Sequence, residues 1–165
     1  MAWRSSKLHF TSQDPARYAG MYLRWVASEL RSMHSGLVTV RDSRLGFHGV
    51  AFGLRSHSPF AGLCSGWVVV LPDGPRIEVQ FEFRCPMVVI EVGIASAVAL
   101  ASLAVPNDIW RIALLAIAAS MGIGALLHYD FARARLKRIL RTVAKRVEQT
   151  EKESSAILRE RASIP

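Results

Sequence analysis

PMVVIEVGIASAVALASLAVPNDIWRIALLAIAASMGIGALLHYDF, residues 86–131, contains one basic residue, Arg111, and three acids, Glu91, Asp108 and Asp130. Its first apolar run, 86–105, has 20 residues, about 30 Å as a helix, which matches a bilayer's hydrocarbon core. Pro106-Asn107-Asp108 then reads as a turn, because Pro ends one helix and Asn or Asp caps the next. A second apolar run, 109–131, is comparably long. So short a connection forces an antiparallel helical hairpin, and a chain of 165 residues has too little other surface to bury two wholly apolar helices.

The flanks are unlike this middle. Residues 1–85 carry ten Lys/Arg against six Asp/Glu, and residues 132–165 carry ten against four. The overall charge of +8 and the 51% hydrophobic content are therefore averages over an acidic apolar hairpin and two basic flanks. Lys/Arg mark the cytoplasmic side of a membrane protein. Seven of them and no acid lie in 132–146, whereas the turn has only Arg111 nearby. The expected topology is an inner-membrane protein with two spans and both termini cytoplasmic. Residues 1–20 lack a continuous apolar core, so no cleavable secretory signal is expected. In a reducing compartment Cys64 and Cys85 are expected as thiols.

Before the hairpin, Asp14-Pro15 supplies a capping residue and a first-turn proline. Tyr18, Met21, Tyr22, Trp25, Val26, Leu30 and Met33 then follow the spacing of one helical face. Arg17, Arg24 and Arg31 recur every seven residues on another. This helix packs on the sheet, lies on the bilayer with Tyr18, Tyr22 and Trp25 in the interface and the arginines toward anionic headgroups, or does both. From Gly36 to Arg84 the period becomes two. Strands are expected at 37–40, at 45–54 with glycines marking bends, and on both sides of Pro72-Asp73-Gly74-Pro75. In the last of these, Ile77, Val79, Phe81 and Phe83 alternate with Glu78, Gln80, Glu82 and Arg84. Together these features describe a membrane protein: a small cytoplasmic α+β domain (1–85) of four strands and one amphipathic helix, a transmembrane hairpin (86–105, 109–131), and a basic C-terminal helix and tail (132–165).

Signs of chemistry are sparse. Gly62-Leu63-Cys64-Ser65-Gly66 resembles a nucleophile elbow, but a strand follows where that motif needs a helix. His48 and His57 lack a third ligand at a metal-binding spacing, and no phosphate loop or dinucleotide fingerprint occurs. No catalytic or metal-ligating residue is expected. Three features of the hairpin stand out instead. Glu91, a carboxylate inside an apolar span, calls for a partner, and His128 on the other span or Arg133 just beyond it is the expected one. Gly93, Ala97 and Ala101 in the first span, and Ala116, Ser120 and Gly124 in the second, form small-residue rows suited to close helix packing. Gly124 lies one turn before His128, a spacing that would admit a tetrapyrrole ligated by His128, although no cofactor is the primary expectation.

Residues 132–161 contain neither Gly nor Pro and should continue the second span as a helix. Leu136, Leu140, Val143 and Val147 step like a coiled-coil seam. Arg133, Arg135, Lys137, Arg138, Arg141, Lys145 and Arg146 suit an anionic leaflet. Nucleic acid is not an expected partner, since no aromatics interleave with these charges. The functional expectation is a non-enzymatic accessory or assembly subunit docked through its hairpin on other integral membrane subunits, with energy-transducing (photosynthetic or respiratory) complexes as a candidate class. The alternative is a membrane-anchored sensor or effector whose cytoplasmic domain binds a ligand or protein.

Overall fold

A computed structural model describes residues 6–33, 37–51 and 63–162. The strictly alternating segment forms the strand β5 (Arg76–Arg84), and its apolar residues are buried as the pattern requires. It pairs with β4 (Leu63–Asp73) across a two-residue turn in which Gly74 adopts φ +54°. On the other side of β4 lies β3 (Arg44–Ala51), whose partner is β2 (Leu37–Arg41) across a turn with Asp42 at φ 48°. Aspartate tolerates this left-handed conformation by bonding its own backbone. The expected bend in β3 is present: Gly49 has φ +72°, and the register with β4 shifts between Phe47 and Val50.

One strand was not expected. β1 (Ser6–Thr11) pairs antiparallel with β5, so the sheet has five strands in the order β1-β5-β4-β3-β2. The predicted end of β3 at Leu54, together with Gly36, Gly53, His57 and Gly62, lies outside the described residues. Gly66 is required by packing. A Cβ there would collide with the Glu82 carbonyl oxygen and come within 2.8 Å of the Phe47 ring, which occupies the space over the glycine.

Helix α1 (Pro15–Arg31) starts as expected, with the Asp14 carboxylate accepting from the Arg17 amide at 3.2 Å. The helix connects β1 and β2, the two sheet edges. At 17 residues it is about 25 Å long, enough to cross the roughly 19 Å width of five strands. Tyr18, Ala19, Tyr22, Leu23, Val26, Ala27 and Leu30 are buried beneath it. This is the sheet-packed arrangement. Tyr22 is fully buried and cannot sit among headgroups, and Trp25 packs partly against the core.

The apolar segment folds as α2 (Pro86–Ser102) and α3 (Asp108–Ala162), which pack against each other. Asn107 caps α3, its side-chain oxygen accepting from the amides of Ile109 at 2.9 Å and Trp110 at 3.4 Å. α3 is one unbroken helix of 55 residues, about 83 Å long. Its second half completes the core of the N-terminal domain. Leu136, Leu140, Val143 and Val147 are fully buried, and the Tyr22 hydroxyl donates to the Leu140 carbonyl at 3.1 Å. The seam at these positions is therefore satisfied within the chain, by α1 and the β1 side of the sheet.

The cysteines are not thiols here. Cys64 and Cys85 form a disulfide, with Cα atoms 4.4 Å apart. The β4–β5 register explains it: Ser65 pairs with Arg84, so Cys64 and Cys85 are the next facing positions, and a Cα separation this short is that of a non-hydrogen-bonded pair.

Candidate functional site

The region with the most distinctive chemistry is the apolar hairpin and its junction with the sheet. One stretch of α3 is long and apolar enough to cross a membrane, and only 11% of its apolar window is buried. A helix from a soluble core would be mostly covered. Ile109, Trp110, Ile112, Leu115, Ile117, Ile123, Leu126 and Leu127 are all exposed. α2 is shorter than expected, 17 residues instead of 20, because Leu103 and Ala104 form a turn. It too exposes large side chains, Val89, Ile90, Ile94 and Leu100.

The seam between the two helices differs from the small-residue rows anticipated for it. Val88, Ala95 and Ser102 of α2 are buried, as are Ala118, Ala125 and Ala132 of α3 at seven-residue intervals. Gly93, Ala97, Ala101, Ala116, Ser120 and Gly124 are exposed, and neither Gly93 nor Gly124 has any atom within 4 Å of where a Cβ would sit. The alanine stripe had no signal of its own, because alanine at every depth looks the same in a uniformly apolar run.

The expected intramembrane pair is not brought together. Glu91 and His128 are each half-buried, but among the described residues no hydrogen bond or ion pair joins Glu91 to His128 or Arg133. Arg133 instead donates to the Ser6 hydroxyl at 3.0 Å. That bond, with Tyr129 packing against Phe83 at 5.9 Å between ring centres, anchors α3 to the sheet where the helix enters the domain. On the α2 side the anchor is the disulfide, since Cys85 is the N-cap residue of α2.

The basic residues of α3 divide by position. Arg146 lies about 20 Å further along the helix than Arg133, more than two Debye lengths at physiological salt, and it pairs with Glu29 of α1 at 2.9 Å. Arg138, Arg141 and Lys145 are exposed, while Arg133, Arg135 and Lys137 are half-buried. On α1, Arg17, Arg24 and Arg31 are exposed, with Arg31 donating to the Val38 carbonyl at 3.3 Å.

A second feature, at the far end of the domain, had no sequence signal. Glu151 is buried, and one of its oxygens accepts from the Ser12 hydroxyl at 3.1 Å and from the amides of Gln13 at 2.5 Å and Asp14 at 3.3 Å. Three donors on one carboxylate oxygen fix the β1–α1 turn to α3. Beside it runs an open groove of about 590 Å³, lined in part by Thr11, Gln13, Glu148, Lys152 and Arg159. Among the described residues no cluster of His, Cys, Asp or Glu could hold a metal ion. No protein-family model matches the chain, and no curated protein is detectably similar to it.

Proposed function

We propose that this chain is a non-enzymatic accessory or assembly subunit of a larger membrane complex, anchored by α2 and α3 as a two-span hairpin with both termini on the cytoplasmic side of the inner membrane. The observation that carries this reading is the continuity of α3. One helix supplies both an uncovered apolar surface and the buried seam of the N-terminal domain. Such a helix fixes the domain rigidly to the membrane, as a scaffold requires, with no flexible linker to let it search for a substrate. At about 25 Å, α2 falls short of a 30 Å hydrocarbon core, a mismatch that local bilayer thinning accommodates at modest cost. The outward rows Gly93/Ala97/Ala101 and Ala116/Ser120/Gly124 leave each helix a smooth strip against which a neighbouring subunit's helix can pack closely. Anionic headgroups are best reached by Arg133, Arg135, Lys137 and Arg138, the cations nearest the end of the apolar segment. The orientation rests on the seven Lys/Arg of residues 132–146.

The experiment is purification in mild detergent followed by mass spectrometry. Stoichiometric co-purifying membrane subunits are the expected outcome. A homo-oligomer or monomer with no partner would overturn the reading in favour of the anchored sensor or effector. For that alternative, the groove beside Glu151 is the place where a ligand of the domain would sit.

A further inference from the structure

We propose that Cys64 and Cys85 are a reversible thiol–disulfide switch at the root of α2. The proposal rests on the cytoplasmic orientation given above. The chain has two cysteines, and the sheet register holds them opposite each other, 4.4 Å apart at Cα, so the bond opens and closes without backbone rearrangement. A domain with its basic flank in the cytoplasm sits where glutathione and thioredoxin reduce thiols, and disulfides formed there are transient and redox-sensing. The two sulfurs also differ in setting. Both are buried, Cys64 in β4 and Cys85 at the N-cap of α2, where no side-chain capping bond occupies it. The positive end of a helix favours a thiolate, which makes Cys85 the attacking residue and Cys64 the resolving one.

Oxidised glutathione is the co-reactant. The Cys85 thiolate attacks one of its sulfurs, the glutathione S–S bond breaks, and one glutathione leaves as thiolate. Cys64 gives up its proton to solvent and attacks the Cys85 sulfur of the mixed disulfide, expelling the second glutathione as thiolate, and both released thiolates take up protons. Two electrons pass from the cysteines to glutathione. Closure ties the interior strand β4 to Cys85, the residue that caps α2, and reduction frees that cap from β4, while the Cys85–Pro86 peptide bond joins sheet and hairpin in both states.

The test uses the full chain in cells, with acid quenching and a maleimide large enough to shift gel mobility. Two maleimides per chain are expected in unstressed cells, none after a thiol oxidant, and two again after reductant. The Cys64→Ser chain should trap one glutathione on Cys85. A pair that never closes under oxidant overturns the switch. In parallel, Asp73→Cys, an exposed position, is placed in a Cys64→Ser/Cys85→Ser chain and treated with an impermeant maleimide. Labelling only after the membrane is opened supports the orientation. If that arm reads cytoplasmic and the wild-type pair stays closed throughout, the switch alone fails. If Asp73→Cys labels on intact cells and the pair stays closed, orientation and switch fall together, and the disulfide is a permanent staple.

Discussion

Substituting alanine for leucine at two positions of α3 separates the helix's two environments. Leu140 is fully buried between α3, α1 and the sheet, whereas Leu126, fourteen residues earlier on the same helix, is 51% exposed. Removing a buried leucine side chain costs about 2–5 kcal/mol, the spread depending on how far the site collapses. Leu140 belongs to the same buried core as Phe10 and Tyr22, whose rings pack at 5.2 Å, and the Tyr22 hydroxyl holds the Leu140 carbonyl. Collapse is therefore restricted, and about 3 kcal/mol is expected, more than a hundredfold in the folding equilibrium. Leu126→Ala removes a side chain that faces away from the protein and should change domain stability by less than about 0.5 kcal/mol. The assay is denaturant unfolding of the full chain in micelles, followed by the fluorescence of Trp25 and Trp67, both of which lie in the domain. Equal effects of the two substitutions, or a cost below 1 kcal/mol at Leu140, would refute the view that α3 is a core element of the domain.

Four further outcomes follow from other contacts. Glu151→Ala leaves the Gln13 and Asp14 amides without their acceptor and should cost about 1–3 kcal/mol, with hydrogen exchange accelerated first in the β1–α1 turn. Gly66→Ala forces a methyl group into the Glu82 carbonyl and the Phe47 ring; a loss of more than about 2 kcal/mol, seen as a lowered Tm, is expected from the overpacking, and an unchanged Tm would contradict the packing described. For pH, burial raises the Tyr22 phenol above its ordinary value of 10.0. The unfolded chain then loses that proton first, so the stability it contributes is intact below pH 10 and declines above it, and Tyr22→Phe should flatten that alkaline limb in a stability–pH titration. Glu78 behaves oppositely: hydrogen bonds from Lys7 and then Gln80 lower its carboxyl from the usual 4.5. Its contribution is present above that value and lost as pH falls through the lowered one, and exchange at the β1 amides should rise accordingly.

Much of this architecture is legible in the residues, and the omissions have physical causes. The Asp14 cap, the Asn107 cap, the alternation of β5 and the glycine bend in β3 are local patterns, and each is where its chemistry places it. β1 carries little strand signal because it is an edge strand whose outward positions include Lys7 and His9, polar choices that protect an edge and also dilute the alternation. The seam Leu136–Val147 is visible as a periodicity, but a stripe does not name its partner, and here the partner is α1 of the same chain. The disulfide depends on a register between strands whose cysteines are 21 residues apart, which no local pattern specifies. In the hairpin, the small residues that draw attention, Gly93 and Gly124, face outward, and the buried alanines are indistinguishable by hydropathy from their neighbours.

The length of α3 also sets the order of events during synthesis. The strands and α1 are translated first, yet the residues that cover their apolar face, Leu136 to Val147, emerge only after the whole hairpin. At about 5–20 residues per second the ribosome takes roughly 3–13 s to travel from Arg84 to Val147. Throughout that interval the nascent sheet and α1 lack the residues that complete their core, so the domain closes only after both apolar helices have been made. A chain cut short before Val147 thus leaves its domain unfinished, with the surface that α3 would have sealed open to chaperones and proteases.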